Sequence, residues 1–553
     1  MTTPAPSPAA AGPATRRASE GQATAAAVAE GRVAADAHTA VSPAEVALLA
    51  SVFVVAACGL VYELAAGALA SYLLGDSVLQ FSTVIGSYLF AMGIGSWASR
   101  HVERQLVAQF LRIELLVGLV GGLMPAALFV AHSALPAGHG AGFRVLLYGL
   151  VLAVGVLVGL EIPLVMRILK RHFGARYALR DLVSQVLTFD YLGALVVAVA
   201  FPLLFVPHLG LVRTGVFFGL LNAVVAVWAL VLFRAELRGW RSHALACAAV
   251  LAALAAAMAG AGRLTTWAED QFYGDSVILR ESSEYQRVVV TASAAGVRLF
   301  LNGNLQFHSR DEYRYHEALV HPAMAAFAAG ASPRRVLVLG GGDGLAVREI
   351  LRYPGVEQVT LVELDPHMTR LFSTYPALVA LNGGSLTNPK VKIVNADAFT
   401  WLEANRDSFD VIIIDFPDPT NFSLGKLYTT SLYQRADQAL AAGGWMVVQT
   451  TSPLIARRSF WTVVATLEAV GLETTPYHVH VPSFGEWGFV LAGHRPWPGL
   501  RTLPPGLRFL TPKGMAALLD FPPDMARVPA EPNRLSNQVL VTTFEEEWGK
   551  VAR

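Results

Sequence analysis

Charge is scarce in this sequence. Only 15% of its 553 residues are Asp, Glu, Lys or Arg, and 54% are hydrophobic; a soluble domain usually carries about a quarter charged residues. With a mean hydropathy of +0.47, the shortage excludes a wholly soluble protein. The charges present nearly cancel, 42 basic against 41 acidic for a net +1, and no long Lys/Arg run stands out. A broadly basic nucleic-acid binder is thereby excluded. Cysteine is scarcer still: Cys58 and Cys247 both lie in apolar runs, which excludes a disulfide framework. There is no CxxC and no HExxH, so nothing points to a metal site.

The hydrophobicity is unevenly spread. Residues 1–43 are rich in Ala, Pro, Thr and Ser without apolar periodicity, and are expected to form a disordered tail rather than a signal peptide. From 44 to 262 the chain is almost continuously apolar. Candidate spans are 45–74, 79–99, 106–132, 144–166, 185–207, 211–233 and 244–261, most of them near the roughly 20 residues that cross a bilayer. The first six are expected to span. The seventh, mostly alanine, is marginal. Basic residues concentrate after spans two, four and six: Arg100, Arg104 and Arg112; Arg167, Lys170, Arg171, Arg176 and Arg180; Arg234, Arg238 and Arg241. These loops and the N-terminus should be cytoplasmic. Seven spans would put the rest of the chain outside the cytoplasm and six would leave it inside. Because substrate supply favours the cytoplasm, a multi-pass cell-membrane protein with a cytoplasmic C-terminal half is expected. Glu63, Glu161 and Asp190 fall at membrane depth, where a carboxylate is costly and faces a partner or a cavity.

After residue 265 the pattern changes. Runs at 276–280, 287–291, 297–301 and 305–308, linked by turns such as Asn302-Gly303, indicate a small β subdomain over 265–310. A helix is predicted over 311–328. Strand-like runs at 336–340, 358–363, 391–395, 411–415 and 445–450 then alternate with helical segments. That rhythm predicts a doubly wound, Rossmann-like, mostly parallel sheet over 311–496. The fold class is thus a multi-pass α-helical domain followed by α/β. The proline-rich 497–553 shows no clear element.

The α/β half carries the chemistry. Its first strand runs into Gly340-Gly341-Gly342-Asp343-Gly344 and a helix, a turn that lets a ligand approach the backbone closely. The second strand ends in Glu363, placed to bind both ribose hydroxyls. The third ends in Asn395-Ala396-Asp397, where a carboxylate can accept from an adenine amino group. Together they favour a bound adenosine. Asp343 would repel the carboxylate of S-adenosylmethionine but attract the bare amine of its decarboxylated form. The fourth strand delivers Asp415-Phe416-Pro417-Asp418-Pro419, two acids at the end where such sheets bind ligands, facing a polycation.

These residues resemble the polyamine aminopropyltransferases, spermidine synthase and its relatives, over 276–493. The likeness is carried by Gln286, Leu301-Asn302-Gly303-Asn304-Leu305-Gln306, Asp311-Glu312-Tyr313-Arg314-Tyr315-His316-Glu317, Gly341-Gly342-Asp343-Gly344, Glu363-Leu364-Asp365, Asp397-Ala398, Asp415-Phe416-Pro417-Asp418-Pro419, Leu427-Tyr428 and Tyr433-Gln434. The apolar block resembles the N-terminal region of membrane-bound bacterial members. The resemblance implies aminopropyl transfer from decarboxylated S-adenosylmethionine, a co-substrate with no separate cofactor, to a di- or polyamine such as putrescine, in a homo-oligomer anchored in lipid. By position, Gln286, Glu363, Asp397 and Ala398 would hold the donor, with His316 and Asp343 along its aminopropyl arm. Asp415 would be the catalytic acid–base residue. Tyr315, Asp418 and Phe484 would meet the acceptor.

Two positions depart from the family. Its Leu-Asp-Gly is here Leu301-Asn302-Gly303. Its loop tyrosine before the last strand is here Phe484, in a shorter Pro482-Ser483-Phe484-Gly485-Glu486-Trp487. Glu486 or Tyr428 are the candidates to take over the missing hydroxyl. The competing expectations are a membrane polyamine sensor or transporter with a degenerate catalytic domain, and a methyltransferase.

Overall fold

Apolar runs that span a bilayer's thickness satisfy their backbone internally as helices. The computed structural model describes residues 43–74, 77–134, 140–173, 178–328 and 332–551; the expected tail at 1–43, Pro43 apart, lies outside them. The first half is a bundle of α1 (Pro43–Leu74), α2 (Ser77–Ala98), α3 (Leu106–Ala134), α4 (Gly140–Phe173), α5 (Leu179–Ala200), α6 (Val206–Leu232) and α7 (Trp240–Tyr273). Six helical stretches are long and apolar enough to cross a membrane, which is compatible with a multi-pass membrane protein. One of the six, Leu179–Leu232, has 54 residues, about 80 Å of helix against a bilayer core of about 30 Å. A π-turn at Phe201–Phe205 and a break at Gly210 (φ 73°, ψ 168°) divide it into two rods. The seventh candidate, left open between crossing the membrane and lying on it, is the 34-residue helix α7, counted among the stretches able to cross; as a helix it continues beyond the apolar run, through Arg263 and Asp270, to Tyr273.

The bundle's two ends differ. At one, Arg167 donates to the carbonyls of Val102 (2.9 Å) and Ser99 (2.6 Å), and His172 meets Glu236 at 2.6 Å. These contacts gather the basic loops after α2, α4 and α6. At the other, Ser133 donates to the Ala268 carbonyl (3.1 Å), and the His132 and Phe272 rings lie 5.5 Å apart. The chain leaves from this second end. Glycines let α2 and α4 touch backbone to backbone, since a methyl at Gly95 or Gly159 would collide with the carbonyl of Val156 or Met92.

Next come β1 (Ser276–Ser282), β2 (Arg287–Ser293), β3 (Gly296–Leu301) and β4 (Asn304–His308), an antiparallel sheet in that order. Asn302 (φ 49°) and Gly303 (φ 85°) form the two-residue turn between β3 and β4, left-handed at both positions. Asn302 Oδ1 accepts the Arg287 N–H at 2.9 Å, so the asparagine departure is a local turn device. Helix α8 is Glu312–Met324, shorter than predicted mainly at its C-terminal end, where the chain leaves helical geometry at Ala325 and turns.

The larger sheet holds β5 (Arg335–Gly340), β6 (Gln358–Glu363), β7 (Val391–Asn395), β8 (Phe409–Asp415), β9 (Leu440–Gln449), β10 (Glu473–Val481) and β11 (Gly485–Gly493). Its order is β10-β11-β9-β8-β5-β6-β7. The five predicted strands pair in parallel, and β10–β11 adds an antiparallel hairpin at one edge. The helices are α9 (Leu345–Ile350), α10 (Pro366–Thr374), α11 (Pro376–Asn382), α12 (Ala398–Ala404), α13 (Phe422–Gly425), α14 (Thr430–Gln438), α15 (Arg457–Glu468), α16 (Pro512–Leu518) and α17 (Val539–Val551). The last two occupy the region where no element was expected. Helix α17 is fixed to α15 by Glu547, which accepts from the Ser459 hydroxyl (2.7 Å) and the Arg458 N–H (2.9 Å). Strand order reverses between β5 and β8, which opens a crevice at their C-terminal ends. Register places Gly340 opposite Asp415, and Glu363 opposite Asn395.

Candidate active site

The glycine turn after β5 is the floor of the crevice. Gly340, Gly341 and Gly344 have φ of 79°, 65° and 74°, which a side chain rarely tolerates. Added to Gly342, a Cβ would lie 2.7 Å from Glu363 Cγ. Glu363 instead turns back onto the chain, accepting from Gly342 N–H (3.2 Å) and Asp365 N–H (3.0 Å). Burial pushes Glu363 up to about 7; those two N–H groups oppose the rise and the charges of Asp365 and Asp343 add to it.

Asp365 is the joint between the two sheets. It caps α10 by accepting His367 N–H (2.9 Å), and takes hydrogen bonds from Ser283 Oγ (2.6 Å) and Gln286 Nε2 (3.0 Å). Gln286 therefore reaches the crevice from the small sheet. At the end of β7, Asp397 caps α12 through Phe399 and Thr400 N–H, and its other oxygen meets Lys426 Nζ at 2.6 Å. Burial raises Asp397, but Lys426 outweighs it and holds the acid below its ordinary value. Ala398 is buried behind it. Lys426 gave no signal in the sequence, being 29 residues from Asp397 in a segment between α13 and α14.

His316 is buried on α8, with Nδ1 2.8 Å from Glu312 Oε2. Arg348 grips both oxygens of Glu312, at 3.1 and 3.0 Å. Burial lowers the imidazole, yet Glu312, Asp343 and Asp415 together carry it above its usual value. Asp343 Oδ1 accepts Leu345 N–H at 2.9 Å. Burial raises Asp343, against the pull of His316.

Asp415 ends β8 and accepts the Tyr315 hydroxyl at 2.6 Å. Burial pushes Asp415 up to about 6, with His316 opposing and Asp343 adding. Three residues on, Asp418 has a buried carboxylate oxygen with no partner, and burial pushes it up to about 8. The Phe484 ring lies 6.2 Å from Tyr315 and 5.4 Å from Trp487. Neither candidate for the missing hydroxyl is free. Glu486 is taken by His478 and His480. The Tyr428 hydroxyl sits against the carbonyls of Phe416 and Pro417 and accepts from Gln449, which also bonds the Phe416 carbonyl and receives the Trp487 indole N–H at 3.1 Å. The hydroxyl at Asp415 is supplied by Tyr315 itself.

Gln286 joins Asp365, Tyr315 joins Asp415, His316 lies within electrostatic reach of Asp343 and Asp415, and the Phe484 ring stands beside Tyr315. Residues 312–496 match the spermine/spermidine synthase domain. "Polyamine aminopropyltransferase 2" of Ralstonia nicotianae is 56% identical over 518 residues, covering 92% of this chain and 99% of the relative. This chain belongs to the polyamine aminopropyltransferases. Relatives in this family from Leptospira interrogans (48% identical, 92% of this chain and 99% of the relative) and Streptomyces coelicolor (43%, 93% and 96%) align over the same extent, including the helical bundle. A crystal structure of spermidine synthase with the transition-state analogue AdoDATO superposes at TM-score 0.41 and 27% identity, covering 44% of this chain and 85% of that one. The chain is an aminopropyltransferase.

Proposed function

We propose that the crevice moves the aminopropyl group of decarboxylated S-adenosylmethionine to a diamine, putrescine first, giving spermidine and methylthioadenosine. The observation that carries this reading is the pair Asp415 and Asp418: two buried acids three residues apart, one held only by a tyrosine and the other unpartnered at one oxygen. Neither is paired with a Lys or Arg side chain among the described residues, and a diamine dication would supply that charge.

In this reading Glu363 leaves its backbone contacts for the ribose, Gln286 and Asp397 complete the adenosine site, and Asp343 and His316 flank the aminopropyl arm. The acceptor nitrogen attacks the methylene beside the sulfonium, the carbon–sulfur bond breaks, and a neutral thioether leaves. No general acid is required. The attacking amine must first be unprotonated. With a pKa near 10.4, that costs roughly 4–5 kcal/mol at neutral pH. Asp415 takes the proton, and Tyr315 holds its carboxylate in line. Asp418 binds the far ammonium and so measures acceptor length. The test is incubation of the purified chain with the decarboxylated donor and a series of diamines. Methylthioadenosine release with putrescine supports the reading; donor binding without release for any amine sinks it.

The expected cytoplasmic placement rested on substrate supply, weighed against a weak seventh span. With α7 a full helix, the α/β half leaves the bundle at the end opposite the basic loops, and such loops stay cytoplasmic. We place the catalytic half on the outer face, where the donor must then be delivered. A topology reporter fused after Arg553 reads the side directly, and a cytoplasmic signal would reverse the assignment.

A further inference from the structure

The bundle contains a second group of acids that aminopropyl transfer does not use. Glu114 on α3 and Glu161 on α4 are 0% and 1% exposed. Both oxygens of Glu114 and Oε1 of Glu161 lack a hydrogen-bond partner. The two carboxyls lie within electrostatic reach of one another. Tyr62 on α1, 0% exposed, lies within reach of both, and its hydroxyl is also unpartnered. Asn222 on α6, equally buried, has neither its amide oxygen nor its nitrogen satisfied.

One stripe of α3 assembles the group. Glu114, Gly118 and Gly121 follow at helical spacing and share a face. Gly118 faces Asn222 and Gly121 faces the Tyr62 ring, each closely enough that a methyl would press on its neighbour. Four helices therefore meet around unsatisfied polar atoms inside a span. Leaving a polar group unpaired there is expensive, and an intramembrane acid normally has a partner. No lysine or arginine is among the buried residues described, so no buried cation among them pairs with these acids.

We infer that Glu114, Glu161, Tyr62 and Asn222 form an intramembrane binding site for an organic ammonium cation of the polyamine class. The unsatisfied atoms are mostly acceptors, and an alkylammonium brings a positive charge with three N–H donors. A hard divalent metal fits poorly: it takes six or more oxygen ligands, and the described residues contain no group of three metal-ligating side chains. The choice of a polyamine rests on the proposed function of the crevice, whose substrates are alkylammonium ions, but the site is separate from it in the fold.

The test is calorimetric titration of the full chain in lipid nanodiscs with spermidine and with putrescine. Two saturable sites per chain are expected. The double variant Asp415→Asn/Asp418→Asn should lose one, and Glu114→Gln/Glu161→Gln the other, with binding of the decarboxylated donor kept as the sign of a folded catalytic half. Should the double glutamine variant fail to fold, Glu161→Gln and Tyr62→Phe alone should each weaken the second site, the former by about tenfold. A single site in the wild type that survives Glu114→Gln/Glu161→Gln, or a second site indifferent to all these variants, overturns the inference. So does a pair that only takes up protons, seen as pH-dependent proton release without amine binding. Loss of the crevice site alone would sink the reading of the crevice and leave the bundle site standing.

Discussion

The two sides of the crevice are built differently. On the β5–β6–β7 side every acid at a strand end already has a partner: Glu363 takes two backbone N–H groups, Asp365 holds Ser283 and Gln286, and Asp397 has Lys426. On the β8 side Asp415 has one tyrosine, and Asp418 keeps a bare oxygen. The protein prebuilds the side we assign to the donor and leaves the side we assign to the acceptor for the ligand to complete. The contrast separates a side whose acids are already held by the chain's own donors from one whose acids the chain leaves largely unpaired.

The strongest way to break that comparison is Asp415→Asn. It should lower kcat by about a thousandfold, as removal of a positioned base does, while donor affinity stays within about threefold. Steady-state rates with donor titration measure both, and near-normal turnover would remove Asp415 from its role. Asp418→Asn should instead act on the acceptor, raising its KM by about ten- to a hundredfold as a charge-assisted bond is weakened, with the donor KM unmoved. Equal effects on both substrates would erase the division into two sides.

A third prediction concerns pH. Asp415, Glu363 and Asp418 are pushed by burial to about 6, 7 and 8, against about 4 for free carboxylates. The folded protein thus holds protons that the unfolded chain has released, and stability of the ligand-free enzyme should fall as pH rises from about 4 to 8. A diamine should flatten that slope, which thermal melts of the full chain with and without putrescine will show. The smallest effect is expected from Phe484→Tyr. Since Tyr315 already serves Asp415, turnover should change by less than about threefold; a large gain would mean that the hydroxyl there had been missing after all.

Much of this site was legible because strand ends are punctuated in the sequence. Gly340–Gly344, Glu363, Asp397 and Asp415 each follow a short apolar run, and a parallel sheet carries such residues to one edge. Partners brought from afar were not legible. Lys426, Gln449 and the Glu312–Arg348 pair meet their targets only through tertiary packing, and no local pattern marks them. Strands β10 and β11 were missed because an edge hairpin breaks the alternation of strand and helix. Glu114 was passed over although its neighbours on other helices were noted, because it sits about two turns from the start of α3, two residues from Arg112 of the charged group.

Helix α7 passes into the first strand with almost no slack. Gly274 (φ 70°) ends the helix, Asp275 alone separates it from β1, and Arg298 pins Asp275 at 3.3 Å while Tyr273 packs 4.6 Å from Phe300. The catalytic half therefore hangs from the bundle as a bracket rather than on a tether. Its mouth keeps a fixed heading relative to α7, and any tilt of that one helix would be passed straight to the hairpin that holds Gln286.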